Sequence, residues 1–244
     1  MTSLRTQREL EWHEHESQRR RSLNHILYDP PAFDSVVRAG IEFIEPQPGE
    51  RVLDLGSGEG KETAWLVRAG SRVVSMDLSH VQLMDARKSL DAVESARVMY
   101  VQADAERMPF AAGAFRVIYG KAVLHHLDLS AAAREIRRVL KPRGKAAFAE
   151  PLASAPLFWF ARRLTPQYRS RDERPMTRVD AEKFARAFTA WEIREMFLLA
   201  PLAYAVRLFN ERVFRWLHAH LARWDTVLLA RAPVLRRWAW YGLI

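Results

Sequence analysis

Glycine occupies every second position of Gly56-Ser57-Gly58-Glu59-Gly60, directly after the β-favouring run Val52-Leu53-Asp54-Leu55 and directly before the helix-like run Lys61–Arg68. A strand, a glycine loop and a helix in that order bring bare backbone to a helix N-terminus, where a ligand can lie against main-chain N–H groups. The spacing is GxGxG. The dinucleotide fingerprint GxGxxG needs glycine at position 61, where this chain has Lys61, and no Gly-Lys-Ser/Thr follows to make a P-loop.

The flanking sequence extends this unit into a series. Residues 1–28 read as a polar helix ended at Pro30-Pro31, and 33–45 as an amphipathic helix carrying Phe33, Val36, Val37, Ile41 and Ile44 at helical spacing. Strands are expected at Arg51–Leu55, Arg72–Met76, Val98–Gln102, Phe115–Tyr119 and Lys145–Ala149. Between them fall helices Lys61–Ala69, stopped by Gly70, then one capped by Ser79 and running to about Leu90, and Ala131–Leu140 capped by Ser130. Lys141-Pro142-Arg143-Gly144 reads as a turn. Short βαβ connections predict a mostly parallel, doubly wound sheet of about seven strands, a Rossmann-like α/β fold with helical additions at both ends. Such sheets bind ligands beyond the carboxyl ends of their strands, and Asp54–Gly60, Asp77, Asp104, Gly120 and Glu150 all stand at those ends.

Regularity is lost after residue 150. Residues 151–176 are aromatic and basic, with Phe158, Trp159, Phe160 and Arg169–Arg174. Thr177 or Asp180 caps a helix to about Phe188, Trp191–Leu199 reads as a strand, 202–232 as helical and Trp238–Ile244 as a last strand. The expected division is 1–45 as an N-terminal helical part of a substrate cap, 46–150 as the ligand-binding core, and 151–244 as cap insertions and last strands.

Composition narrows the chemistry. The chain has 244 residues and no cysteine, which excludes disulfides, thiolate metal sites and a cysteine nucleophile. No metal site is expected. No signal-peptide core stands at the N-terminus, and the longest strongly apolar run, Met196–Val206, is too short to span a bilayer, so the expected location is the cytoplasm. The net charge of +9 is uneven: residues 151–244 hold 16 basic and 8 acidic residues, while the nucleotide-like half is nearly neutral.

Val52–Gly60, Val73–Ser79, Val101–Phe110, Phe115–Leu127 and Glu135–Gly144 resemble, in order and spacing, the successive motifs of the UbiE-like (methyltransferase type 11) class I S-adenosylmethionine (SAM) methyltransferases, over about residues 35–150. The resemblance implies that Asp54, Gly56, Ser57, Gly58 and Gly60 hold the methionine end of SAM and Asp77 the ribose. It implies that Leu78 packs on the adenine, Asp104 meets the adenine amine with Ala105 beside it, and Gly120 closes the site around the sulfonium. Two positions depart from the family pattern: Arg116, where an acid is common, and Lys121, where a small or amide residue is usual and which is expected to point outward. In relatives that methylate hydroxyls, a histidine after strand 4 and an acid ending strand 5 assist deprotonation. His125, His126 and Glu150 are therefore the candidate catalytic residues.

The implied activity is methyl transfer from SAM to a small hydrophobic acceptor, such as a quinone, isoprenoid, lipid or secondary metabolite, at oxygen or carbon. A SAM-binding cyclase or regulatory module that transfers no methyl is the alternative, and a nicotinamide dehydrogenase a third reading. Base-amine methylation of nucleic acid is disfavoured, because Gly120-Lys121-Ala122-Val123 replaces the Asp/Asn/Ser-Pro-Pro-aromatic motif of such enzymes. In residues 201–244, Trp216, Trp224, Trp238 and Trp240 alternate with Arg215, Arg223, Arg236 and Arg237. That pattern suits ordinary core packing, a cap over a greasy pocket, or peripheral contact with an anionic membrane.

Overall fold

The computed structural model describes residues 4–19, 34–153, 155, 174, 176–207 and 209–244. The expected helix stop at Pro30-Pro31, Phe33 and most of the aromatic, basic stretch 151–176 lie outside the described residues.

Helix α1 spans Leu4–Arg19 and α2 Asp34–Ile44. The alternating series follows: β1 Arg51–Leu55, α3 Lys61–Arg68, β2 Arg72–Asp77, α4 His80–Ser89, the single turn α5 Ala92–Ser95, β3 Val98–Gln102, β4 Phe115–Lys121, α6 Leu129–Val139 and β5 Leu140–Pro151. Beyond these lie α7 Arg178–Ala185, β6 Arg194–Met196, the short α8 Tyr204–Arg207, α9 Glu211–Arg231 and β7 Tyr241–Leu243. The seven strands form one sheet in the order β3-β2-β1-β4-β5-β7-β6. Pairs among β1–β5 are parallel, and β7 runs antiparallel between β5 and β6. The order reverses between β1 and β4, which is the switch point where a crevice opens.

Each central strand is buried on both faces, so it reads as a continuous apolar run and divides its side chains between two cores. Leu53, Leu55, Val74, Met76, Ile118 and Phe148 face α6 and α7, while Val52, Val73, Val117, Tyr119, Ala147 and Ala149 face α2 and α3.

Local chemistry sets the element ends. Gly70, at φ +93°, lets Ser71 N–H reach Leu66 O at 3.1 Å and Gly70 N–H reach Val67 O at 2.9 Å, which closes α3 with a Schellman motif. Ser79 Oγ accepts from Gln82 N–H and starts α4. Helix α6 is capped by Asp128 rather than Ser130, its carboxyl accepting from Ala131 N–H at 2.8 Å, so the helix begins two residues earlier than expected. The expected turn Lys141–Gly144 is a bulge within β5: Phe115 pairs with Leu140 and Val117 with Lys145, leaving four residues opposite Arg116.

The strand expected at Trp191–Leu199 is only Arg194–Met196. Phe197 turns the chain at φ +64°, and the Asp225 carboxyl of α9 accepts from the N–H groups of Leu198, Leu199 and Ala200 at 2.9, 2.7 and 3.0 Å. The expected helix 202–232 is divided by Asn210, whose side chain accepts from Arg212 and Val213 N–H and starts α9 afresh. Asp225 is 2% exposed, so Asp225→Ala leaves three N–H groups without their acceptor. It should destabilise the fold by about 3 kcal/mol in urea unfolding, with Asp225→Asn losing less because it keeps one acceptor oxygen.

Candidate functional site

The loop after β1 is tied to the end of β2. Gly56 and Ser57 N–H both donate to Met76 O, at 2.8 and 3.1 Å. Gly58 N–H donates to Asp77 Oδ2 and Ser79 N–H to Asp77 Oδ1, each at 2.9 Å. Gly58 lies at φ +52°, where its missing Cβ would stand 3.3 Å from the flexible Gln82 amide. Gly56 and Gly60 have a second reason to be glycine: a Cβ would strike Val123 at 2.4 Å and Ala86 at 2.7 Å, respectively. A Cβ on Gly120 would meet Phe148, Val123 and Leu55 O at 2.9–3.1 Å, so packing alone requires glycine there.

Asp54 is 1% exposed and accepts from Thr63 Oγ1 of α3 at 2.5 Å, while Ser75 Oγ donates to Ser57 Oγ at 2.7 Å beside it. This is the geometry of a brace beneath the loop. Burial lifts Asp54 to about 7, with the Thr63 bond opposing the shift and Glu62 and Asp77 adding to it. The folded chain therefore holds a proton that the unfolded chain releases near pH 4. The stability from this group is complete below about pH 4 and is lost as pH rises toward 7. Asp54→Asn should flatten that part of the decline when urea midpoints are compared from pH 4 to 7.5. Identical slopes in the two proteins would contradict the assignment.

Asp77 is 9% exposed, and burial raises its pKa against the pull of the Ser79 and Gly58 N–H groups. Leu78 is half-buried beside it, and its carbonyl accepts from Gln102 Nε2 at 3.1 Å. Asp104 accepts from Glu106 N–H at 2.8 Å and from Thr6 Oγ1 of α1 at 3.4 Å, with Ala105 buried in the core.

Glu150 is fully buried at the end of β5. Its Oε1 accepts from Val123 and Leu124 N–H at 2.9 and 2.8 Å, and its Oε2 lies 2.7 Å from His125 Nδ1. His126 separates from this pair: its Nδ1 lies 3.1 Å from Glu9 Oε2 of α1, and its carbonyl accepts from Arg5. Helix α1 thus rests on the ends of β3 and β4 through Arg5, Thr6 and Glu9, contacts that no local motif announces.

Both departures from the family pattern have partners. Arg116 makes two bonds to Glu50, at 2.6 and 2.5 Å, at the opposite end of the sheet from the glycine loop. Lys121 does not point outward. Its side chain is 16% exposed with Nζ 2.5 Å from Glu62 Oε1, because Glu62 in the first turn of α3 supplies the opposite charge. The two line a cavity of about 270 Å³ between α2 and α3 with Asp34, Val37, Gly60 and Trp65. Among the described residues no cluster of His, Asp and Glu suits a metal ion, and no helix is long and apolar enough to cross a membrane.

The strand order, the antiparallel β7 and a glycine loop wired to an acid at the next strand's end define the class I methyltransferase fold. Residues 53–148 match the family described as methyltransferase domain. The chain is 36% identical over 135 residues to methyltransferase GfsG of Streptomyces halstedii, covering 50% of this chain and 48% of that one. It is 40% identical over 113 residues to the ubiquinone/menaquinone biosynthesis C-methyltransferase UbiE of Shewanella frigidimarina, covering 44% and 45%. The chain thus spans about half the length of the curated relatives it matches. Geranyl diphosphate C-methyltransferase of Streptomyces coelicolor A3(2) shares the fold at a TM-score of 0.64, with 16% identity over 92% of this chain and 84% of that one.

Proposed function

We propose that the chain is a SAM-dependent methyltransferase acting on a small hydrophobic acceptor at oxygen or carbon. The observation that carries this is Asp77 at the end of β2, whose two oxygens bind the backbone of the α4 cap and of the glycine loop that follows β1 at the switch point. A carboxylate offers about four acceptor sites. Two backbone bonds leave room for two ribose hydroxyls, so the residues present fit the nucleoside. In this reading Gly56, Ser57, Gly58 and Gly60 lie along the methionine end over the Asp54 brace, Leu78 and Ala105 flank the adenine, and Asp104 faces its amine. Gly120 keeps the floor of the pocket narrow.

The bound donor supplies a sulfonium-activated methyl group. The protein's share is to hold the acceptor close and in line, worth on the order of 7–11 kcal/mol. With Nδ1–H donated to Glu150, His125 carries its lone pair on Nε2 and can take the proton of a hydroxyl acceptor. Glu150 is a positioning residue that fixes this tautomer, and His126 holds α1. In this reading residues 1–45 contribute the N-terminal part of a substrate cap, and 151–244 contribute cap insertions and the last strands, around the 46–150 core. Location is cytoplasmic, with peripheral contact at the membrane through residues 201–244. A quinone or isoprenoid acceptor is supported by two relatives: one is named a ubiquinone/menaquinone biosynthesis C-methyltransferase, and the S. coelicolor enzyme was crystallised with Mg2+, geranyl diphosphate and S-adenosylhomocysteine.

Calorimetry with S-adenosylhomocysteine and with NADH, followed by an acceptor screen for S-adenosylhomocysteine release, tests the reading. Saturable NADH binding without binding of the nucleoside product rejects it. Nucleoside binding without release under any acceptor leaves the cyclase or regulatory alternative.

A further inference from the structure

Helix α9 uses one face for packing and leaves the other to solvent. Phe214, His218, Asp225 and Leu229 are buried, and Arg207 stacks over the Phe214 ring at 4.8 Å. On the opposite side Val213, Trp216, His220, Trp224 and Val227 recur at spacings of three and four, which aligns them in one stripe. Trp216 and Trp224 are 61% and 63% exposed, and Val213 and Val227 45% and 42%. His220 lies against the Trp216 ring at 4.3 Å. Phe209, two residues before the helix start, is 87% exposed.

Charge accompanies this surface. Arg212, Arg215, Arg223 and Arg231 are exposed around the stripe. Glu211 is bonded to Arg215 at 2.9 Å and offsets that arginine, while Asp225 is buried on the packed side, which leaves Arg212, Arg223 and Arg231 as the cationic ring. The exposed side is therefore apolar along its centre and cationic around it. A single exposed tryptophan is unremarkable on a protein surface, but two aligned with valines and ringed by arginine form a patch.

We propose that the exposed face of α9 docks on an anionic lipid bilayer. Arginine meets lipid phosphate while tryptophan enters the interface, a division of labour that this face already has. A second copy of the chain is disfavoured as the occupant, because a two-fold contact would set the same arginines against one another. The docking stands on surface chemistry, and its use in supplying an apolar acceptor rests on the methyltransferase reading.

The test is co-sedimentation of the full chain with vesicles of phosphatidylcholine alone or with 30% phosphatidylglycerol, at low and at about 0.5 M salt. Binding is expected to the anionic vesicles only, falling at least tenfold at high salt. The double variant Trp216→Ala/Trp224→Ala should bind at least tenfold more weakly, and Arg212→Glu/Arg223→Glu should not bind, both with unchanged circular dichroism and unchanged S-adenosylhomocysteine affinity. Equal sedimentation with neutral and anionic vesicles, wild-type binding by the tryptophan variant, or a concentration-dependent dimer abolished by that variant would each overturn the proposal. Failure to bind S-adenosylhomocysteine would count against the methyltransferase reading and leave the docking result standing.

Discussion

Asp77→Ala should weaken S-adenosylhomocysteine binding about thirtyfold, close to 2 kcal/mol, because hydrogen bonds to a charged acceptor are worth about 1.5–3 kcal/mol. The residue has two duties. It presents the lone pairs proposed for the ribose, and it holds the N–H groups of Gly58 and Ser79. Removing it therefore also loosens the loop, so the unfolding free energy is measured beside the calorimetry. Asp77→Asn separates the duties: one oxygen still accepts from backbone, while the amide that replaces the other can only donate. Affinity is expected to fall with less loss of stability. Wild-type affinity in both variants would remove Asp77 from the site.

The second large effect is on turnover. His125→Ala should lower the rate on a hydroxyl acceptor by about 10²–10⁴, the usual worth of a general base, with S-adenosylhomocysteine affinity unchanged. Glu150→Gln is the sharper variant. Its carbonyl oxygen can still accept from Val123 and Leu124 N–H, so the fold of that corner is kept. Its amide would face His125 Nδ1 as a donor, which forces the proton onto Nε2 and removes the base from the side facing the acceptor. The expected signature is a lowered kcat with little change in KM and loss of the acidic limb of the pH–rate profile. Full turnover by His125→Ala would place the reaction among those that need no proton removed, such as methylation of a carbanion-like carbon.

Legibility followed the range of the forces involved. The glycine spacing, the alternation of strand and helix, and an acid at or just past the end of β2, β3 and β5 are local patterns, and from them Gly56–Gly60, Asp77, Asp104 and Glu150 are expected at the carboxyl ends of the strands, where the structure has them. Boundaries failed where a distant group intervened. The strand ends at Met196, and Asp225, far along the chain, captures the N–H groups of Leu198, Leu199 and Ala200 just beyond it. Lys121 was misjudged because its partner Glu62 belongs to another element. Ser130 is the expected cap and Asp128 the observed one, a local difference, since both are competent caps and only geometry chooses between them.

The amino-acid sequence by itself determined the α/β class, the loop that can lie against a nucleoside, and the order of the motifs, because period-2 and period-3.6 patterns and turn residues act over a few neighbours. Tertiary structure alone decided that His125 and not His126 pairs with Glu150, that Asp54 sits beneath the loop bonded to Thr63, and that both tryptophans of α9 face solvent. Those outcomes depend on which surfaces meet once the sheet closes, and contact between residues far apart in the chain leaves no trace in local spacing.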